Sequence, residues 1–239
     1  MDTVYRSIVY GFLEFIWETE RMTKESLGRK ILDCGAGGHR PSIGLFAEYG
    51  FDAYGLDISE SQIDAAKEFC KEHDLKVNLS VGDMRNIPFD ENYFDHVYEF
   101  YSMVHLTKKD ILKAIQEMKR VVKKGGHLFF GFASCDTWPI TGEEREKNEF
   151  WLFEHSDDEV VHSFFTDDEI KDYLDGLEVL RIDKNGRTDS WRSARYSKEQ
   201  WMEYYADSFT EYTRHEWEKM YERRTEQNYT HIFYICKKL

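Results

Sequence analysis

The segment from Lys30 to Ser59, KILDCGAGGHRPSIGLFAEYGFDAYGLDIS, constrains the fold more than any other stretch of the chain. An apolar strand runs into Gly35, Gly37 and Gly38. Pro41 suits the first turn of a helix, and a second strand then ends on the acid Asp57. Strand–turn–helix–strand units of this kind wind right-handed and require a parallel sheet with helices packed on it. The glycine spacing separates the turn from a dinucleotide fingerprint. A G-x-G-x-x-G pattern needs its last glycine at position 40, where this chain has Arg40 after His39.

The same alternation continues. KVNLSVGD reads as a third strand, FDHVYEFYS as a fourth and GGHLFFGFA as a fifth, with a helix from Thr107 to about Lys123 between the last two. Ser59 stands as an N-cap with Gln62 at the capping-box position. Ahead of the first strand, Val4, Ile8, Phe12, Phe15 and Ile16 recur at helical spacing over residues 4–24. Beyond Ala133 the regularity lapses, and residues 134–165 mix Trp138, Trp151, Phe153, Phe164 and Phe165 with many acids, as an inserted segment would. A helix over Asp167–Asp175, a strand at LEVLRID, a long helix from about Ser197 to Arg224 and a strand at THIFYICKK complete the chain. The expectation is an α/β doubly wound, Rossmann-like sheet with helices on both faces. It forms a single domain over 1–239, with residues 1–26 as a helical lid and 134–165 as a cap. An apolar content of 41% is enough to fill such a core.

Charge narrows the partners. Thirty-two basic residues against 46 acidic ones leave a net charge of −14, which repels phosphate backbones and anionic lipid alike. Neither nucleic acid nor a membrane is expected as a partner, and a small molecule is. Cys34, Cys70, Cys135 and Cys236 are scattered without a C-x-x-C pair, which suits a reducing cytoplasm better than disulfides or zinc. No apolar run approaches the roughly 20 residues that span a bilayer, and Glu14, Glu18 and Glu20 interrupt the N-terminal segment where a signal peptide would be apolar. A cytoplasmic location is the expectation.

In an open parallel sheet, ligands bind beyond the carboxyl ends of the strands. The residues at those ends are Asp33, Gly35, Ala36 and Gly37 after the first strand, Asp57 and Ile58 after the second, Asp83 and Met84 after the third, and Glu99, Phe100 and Tyr101 after the fourth. An acid at Asp57 can accept hydrogen bonds from both hydroxyls of a ribose. A carboxylate at Asp83 can accept one from an adenine amino group, and Met84 can pack on the ring. Together they describe an adenosine pocket whose tail lies over the glycine loop. With His39 and Arg40 where a pyrophosphate would sit, a tail bearing an amino group and a carboxylate suits the loop better than two phosphates.

On these motifs the chain resembles the class I S-adenosylmethionine-dependent methyltransferases. ILDCGAGG is similar to that family's first motif, YGLDIS to its second, GDMRNIPF to its third and FDHVYEFYSMVHL to its fourth. The resemblance is strong over roughly residues 28–133 and weaker beyond. The family pattern puts its third glycine at His39, whereas here glycine stands at Gly38. The resemblance implies S-adenosylmethionine as cofactor, an antiparallel last strand, in-line methyl transfer to a small-molecule acceptor, and His105 of SMVHLT as the candidate general base. Glu99 would face the sulfonium, the acceptor or the methionine amine. A nicotinamide-dependent oxidoreductase and a non-catalytic S-adenosylmethionine-binding protein are the alternatives. His155 and His162 in FEHSDDEVVHSFF match no metal-ligand spacing, so the segment reads as a strand bordering the pocket. Arg192, Arg195, Arg223 and Arg224 read as surface partners for carboxylates, and Tyr101 as a core residue.

Overall fold

The computed structural model describes residues 7–153, 159–188, 190–205 and 213–239. Helix α1 (Ser7–Thr23) leads into β1 (Lys30–Cys34), α2 (Ile43–Glu48), β2 (Asp52–Asp57), α3 (Glu60–Glu72), β3 (Val77–Val81) and β4 (Phe94–Tyr98). A 3₁₀ turn, Met103–His105, precedes α4 (Lys108–Val121) and the long β5 (Val122–Ser134). Three further strands follow, β6 (Glu143–Glu146), β7 (Glu149–Phe153) and β8 (Glu159–Phe165), then a 3₁₀ turn, Glu169–Tyr173, and β9 (Leu177–Thr188). Helices α5 (Ser190–Ser193), α6 (Lys198–Tyr205) and α7 (Arg214–Glu222) and strand β10 (Asn228–Lys238) end the chain.

Strands β3-β2-β1-β4-β5 pair in parallel. Strand β10 then pairs antiparallel with β5, and β9 antiparallel with β10. The winding reverses between β1 and β4, so the crevice where such sheets bind ligands opens beyond Cys34 and Tyr98. Alternation along the strands divides the core in two. Leu32, Val97, Leu128 and Phe130 pack with Ile111, Ile115 and Met118 of α4. Ile31, Tyr98, Phe129 and Phe233 face the other way, onto Phe12 and Ile16 of α1, Phe46 of α2 and Phe69 of α3. Helices therefore cover both faces.

Several elements differ from the sequence expectation. Helix α1 is a core element: Val9, Phe12, Leu13 and Ile16 are buried, and a two-pronged pairing of Arg29 with Glu20 at 2.7 and 2.8 Å ties its end to β1. Only Ser7 and Ile8 of the helix border a cavity near the strand ends. Helix α2 begins after Ser42 rather than at Pro41, and β5 starts three residues before GGHLFFGFA. Among the described residues of 134–165, three strands form sheet: β8 runs alongside Ala133 and Ser134 of β5, beyond the end of β4, and β7 and β6 extend it. The helix expected over Asp167–Asp175 is a 3₁₀ turn. In the helix expected from Ser197 to Arg224, Lys198–Tyr205 is helical, residues 206–212 lie outside the described residues, and Thr213 caps a fresh start in which its side chain and that of Glu216 satisfy each other's backbone N–H. Among the described residues no helix is long and apolar enough to cross a membrane.

One core feature gives the fold a pH signature. His96 and His127 are register partners on β4 and β5, their rings stacked 5.5 Å apart beneath Phe12 and Phe15. Burial pushes both imidazoles down, His96 to about 3 and His127 to about 4, from an ordinary 6.5. The unfolded chain therefore takes up protons near pH 6.5 that the folded chain refuses, so stability falls as pH drops from about 6.5 towards 4. Urea unfolding at pH 7 and pH 4.5 is expected to show the native chain losing about 2 kcal/mol or more relative to a His96→Phe/His127→Phe double variant. An equal loss in both proteins would rule the pair out as its source.

Candidate functional site

The glycine turn after β1 is shaped by its neighbours. The N–H groups of Gly35 and Ala36 both donate to the Leu56 carbonyl, at 2.8 and 2.9 Å, and that of Gly38 to the Gln62 carbonyl at 3.0 Å. Gly35 (φ +119°) and Gly38 (φ +95°) both take positive φ in this turn, and His39 and Arg40 are exposed. Gly37 is required for contact rather than conformation: a Cβ there would fall 2.5 Å from Asp57 Oδ2. Gly37 N–H donates to that same oxygen at 3.1 Å, and Ser59 N–H to Oδ1 at 2.9 Å. A carboxylate offers about four acceptor positions, so Asp57 keeps two for a ligand.

Beyond the strand ends lies a cavity of about 400 Å3, within the usual range for small-molecule sites. It brings together Gly35, Gly37, Asp57, Ile58, Asp83, Met84 and His105. Gln62, Arg85, Tyr101 and Ser102 also line it. Arg85 was not singled out in the sequence, although it follows directly in GDMR. Its guanidinium grips Asp83 through Nε and Nη2, at 3.0 and 2.7 Å, and reaches Asp110 through Nη1 at 2.8 Å. The pairing holds Asp83 below the usual carboxylate range, so Asp83 faces the cavity as a fixed anion.

Three expected ligand residues stand behind the cavity wall. Asp33 is 1% exposed; its Oδ2 accepts from Ser42 Oγ and from the Tyr98 hydroxyl, each at 2.8 Å, and burial pushes it up to about 7. Ala36 is buried beneath the turn. Glu99 is fully buried and faces neither sulfonium nor acceptor. Its Oε1 accepts from Gly131 N–H at 2.7 Å, and its Oε2 from Ser102 and Met103 N–H at 3.0 and 3.1 Å. Burial pushes it up to about 7 against these three donors. The inward turn has a plain reason: the chain leaves β4 here, and the side chain gathers N–H groups that the ended strand leaves without partners.

The turn that Glu99 holds puts Tyr101 at φ +63°, in the left-handed region that bulky residues avoid. Tyr101 and His105 also border a second cavity of about 760 Å3, which Phe100, His162 and Tyr229 line as well. Phe100 thus belongs to the second cavity and not the first. Tyr101, expected in the core, lines both. His162 lies on β8, whose ring stands 4.9 Å from that of His105; His155 lies outside the described residues, as does the side chain of Arg192. Arg223 pairs with Glu226, as a surface arginine would. Among the described residues no group of three or more His, Cys, Asp or Glu is placed to hold a metal.

The fit to S-adenosylmethionine follows from the donor set. The Asp57 carboxylate would suit ribose hydroxyls, Asp83 and Met84 an adenine, and the turn, where Gly35 and Gly37 admit no Cβ, an amino-acid tail.

Comparison with known proteins agrees. A family model described as a methyltransferase domain matches residues 31–126. Methyltransferase GfsG of Streptomyces halstedii is 30% identical over 118 residues, covering 46% of this chain and 42% of the relative. A demethylmenaquinone methyltransferase of Staphylococcus haemolyticus is 34% identical over 116 residues, covering 48% and 47%. The chain thus spans about half the length of the curated relatives it matches. A SAM-dependent methyltransferase structure from Methanosarcina mazei superposes with a TM-score of 0.63 at 17% identity, over 92% of this chain and 96% of that one, which supports the fold. Over residues 31–126 the chain thus carries a match to a methyltransferase domain, and its fold and motif order are similar to those of the class I S-adenosylmethionine-dependent methyltransferases.

Proposed function

We propose that the chain transfers a methyl group from S-adenosylmethionine to a small-molecule acceptor, and that the 400 Å3 cavity holds the cofactor. The observation that carries this is the convergence of Asp57, Asp83 and the Gly35–Gly38 turn on one cavity at the switch point of the sheet. When bound, the cofactor supplies a methyl already activated on a positive sulfur, so the protein's task is alignment and exclusion of water. Asp57 orients the ribose, and Asp83, fixed by Arg85, orients the adenine. Tyr101 and His105 line both cavities, and on this reading the acceptor occupies the second. His105 is the base at hand for an acceptor that sheds a proton.

The relatives include a protein named for methylation of demethylmenaquinone, and that name supports a small acceptor without extending its substrate to this chain. The nicotinamide reading has little support here. His39 and Arg40 are exposed, and the carboxylate of Asp57 already takes up the Gly37 N–H that a pyrophosphate would want.

Calorimetric titration tests the pocket. S-adenosylmethionine is expected to bind in the micromolar range and to weaken by tenfold or more, about 1.4 kcal/mol, in Asp57→Ala. Binding of NAD in its place, or indifference to the substitution, would overturn the assignment. A second expectation concerns His105. His105→Gln is expected to lower kcat on a proton-shedding acceptor by about 10²-fold or more, with cofactor affinity unchanged in the same titration. A loss confined to cofactor binding would remove the base role.

A further inference from the structure

The second cavity has a chemical character of its own. Its lining rings Phe100, Tyr101 and Tyr229 are joined into a ladder through His231, which is buried outside the lining: Phe100 lies 4.2 Å from Tyr101, Tyr101 lies 4.4 Å edge-on to His231, and His231 lies 4.8 Å from Tyr229. Such walls favour a flat, aromatic occupant, which can stack on faces or meet edges. The ladder starts beside the cofactor cavity, whose lining Tyr101 shares, and climbs β10 to Tyr229. Directly across from Tyr229, on β9, is Arg187, which also lines the cavity.

Arg187 lines the cavity without a carboxylate beside it among the described residues. Arg29, Arg85, Arg120, Arg145, Arg181 and Arg223 each pair with an acid. On a chain with 46 acidic residues such pairing is easily found. Among the described residues none pairs with Arg187. A cavity-lining guanidinium left open in an acidic protein offers a local attraction that the −14 background would otherwise deny to an anion. A neutral ring would make no use of it.

We propose that the acceptor is a planar aromatic acid: its ring lies along the Tyr101–Tyr229 ladder, its hydroxyl towards His105 and its carboxylate towards Arg187. This rests on the methyltransferase reading. On transfer, the hydroxyl proton passes to an imidazole nitrogen of His105. The O–CH3 bond forms as the S–CH3 bond of the sulfonium breaks, and sulfur keeps the electron pair as a neutral thioether.

The test is binding, so that it stands apart from turnover. The chain is first saturated with S-adenosylhomocysteine and then titrated with hydroxybenzoates, hydroxycinnamates and hydroxynaphthoates, each beside the matched phenol lacking the carboxylate. At least one acid is expected to bind tenfold or more tightly than its partner. Arg187→Gln should abolish that preference and Arg187→Lys should retain part of it, with S-adenosylhomocysteine affinity and thermal midpoint unchanged in both. Acids and phenols binding alike, no pair binding at all, or a preference that survives Arg187→Gln would each overturn the proposal. Failure of S-adenosylhomocysteine to bind in the first step would instead bring down the methyltransferase reading beneath it.

Discussion

A single buried carboxylate organises the end of the sheet. Glu99 has no exposure, yet its two oxygens collect three N–H groups from Ser102, Met103 and Gly131. Two of those donors belong to the turn leaving β4 and the third to β5, so the carboxylate joins neighbouring strands where ladder pairing stops. Holding one uncommon backbone conformation costs on the order of 1–3 kcal/mol, and hydrogen bonds to a charged acceptor are among the stronger ones available to offset it. Tyr101 and the 3₁₀ turn carrying His105 are placed by this arrangement, and both cavities take their common wall from it.

Much of this architecture was readable in the chain. The parallel strands announce themselves as short apolar runs separated by helical periods, because strands covered on both faces have no polar side to show. Asp57, Asp83 and Met84 were readable too, since they stand at or just past the carboxyl ends of β2 and β3, the side of the sheet on which ligands bind. Asp33 and Glu99 were not. Each stands one position from a strand's end, and the period-2 pattern does not say whether a terminal acid turns out to ligand or in to backbone. That depends on which N–H groups the next turn leaves open, and these belong to residues as distant as Gly131.

Two further misreadings have local causes. Helical spacing over 197–224 masks a restart at Thr213, although Thr213-Arg-His-Glu216 is itself a capping-box sequence. The aromatic-rich segment 134–165 reads as irregular because β6 is short and wholly exposed and β7 and β8 are only partly buried, so the alternation is faint. Arg85 and Arg187 escaped notice for a different reason: arginine is common on surfaces, and only position shows that one locks Asp83 while the other opens on a cavity.

The shared wall of Tyr101 and His105 carries an energetic consequence. A side chain that borders two cavities cannot settle against an occupant of one without changing the shape offered to the other. The two ligands are then linked, and linkage is reciprocal: whatever factor one occupant adds to the other's affinity is returned in full. Because the wall sits on a turn held in one uncommon backbone state, it has few intermediate positions to adopt. Any linkage between the two chambers would therefore run through Tyr101 and His105, the residues common to both linings, rather than through the whole fold.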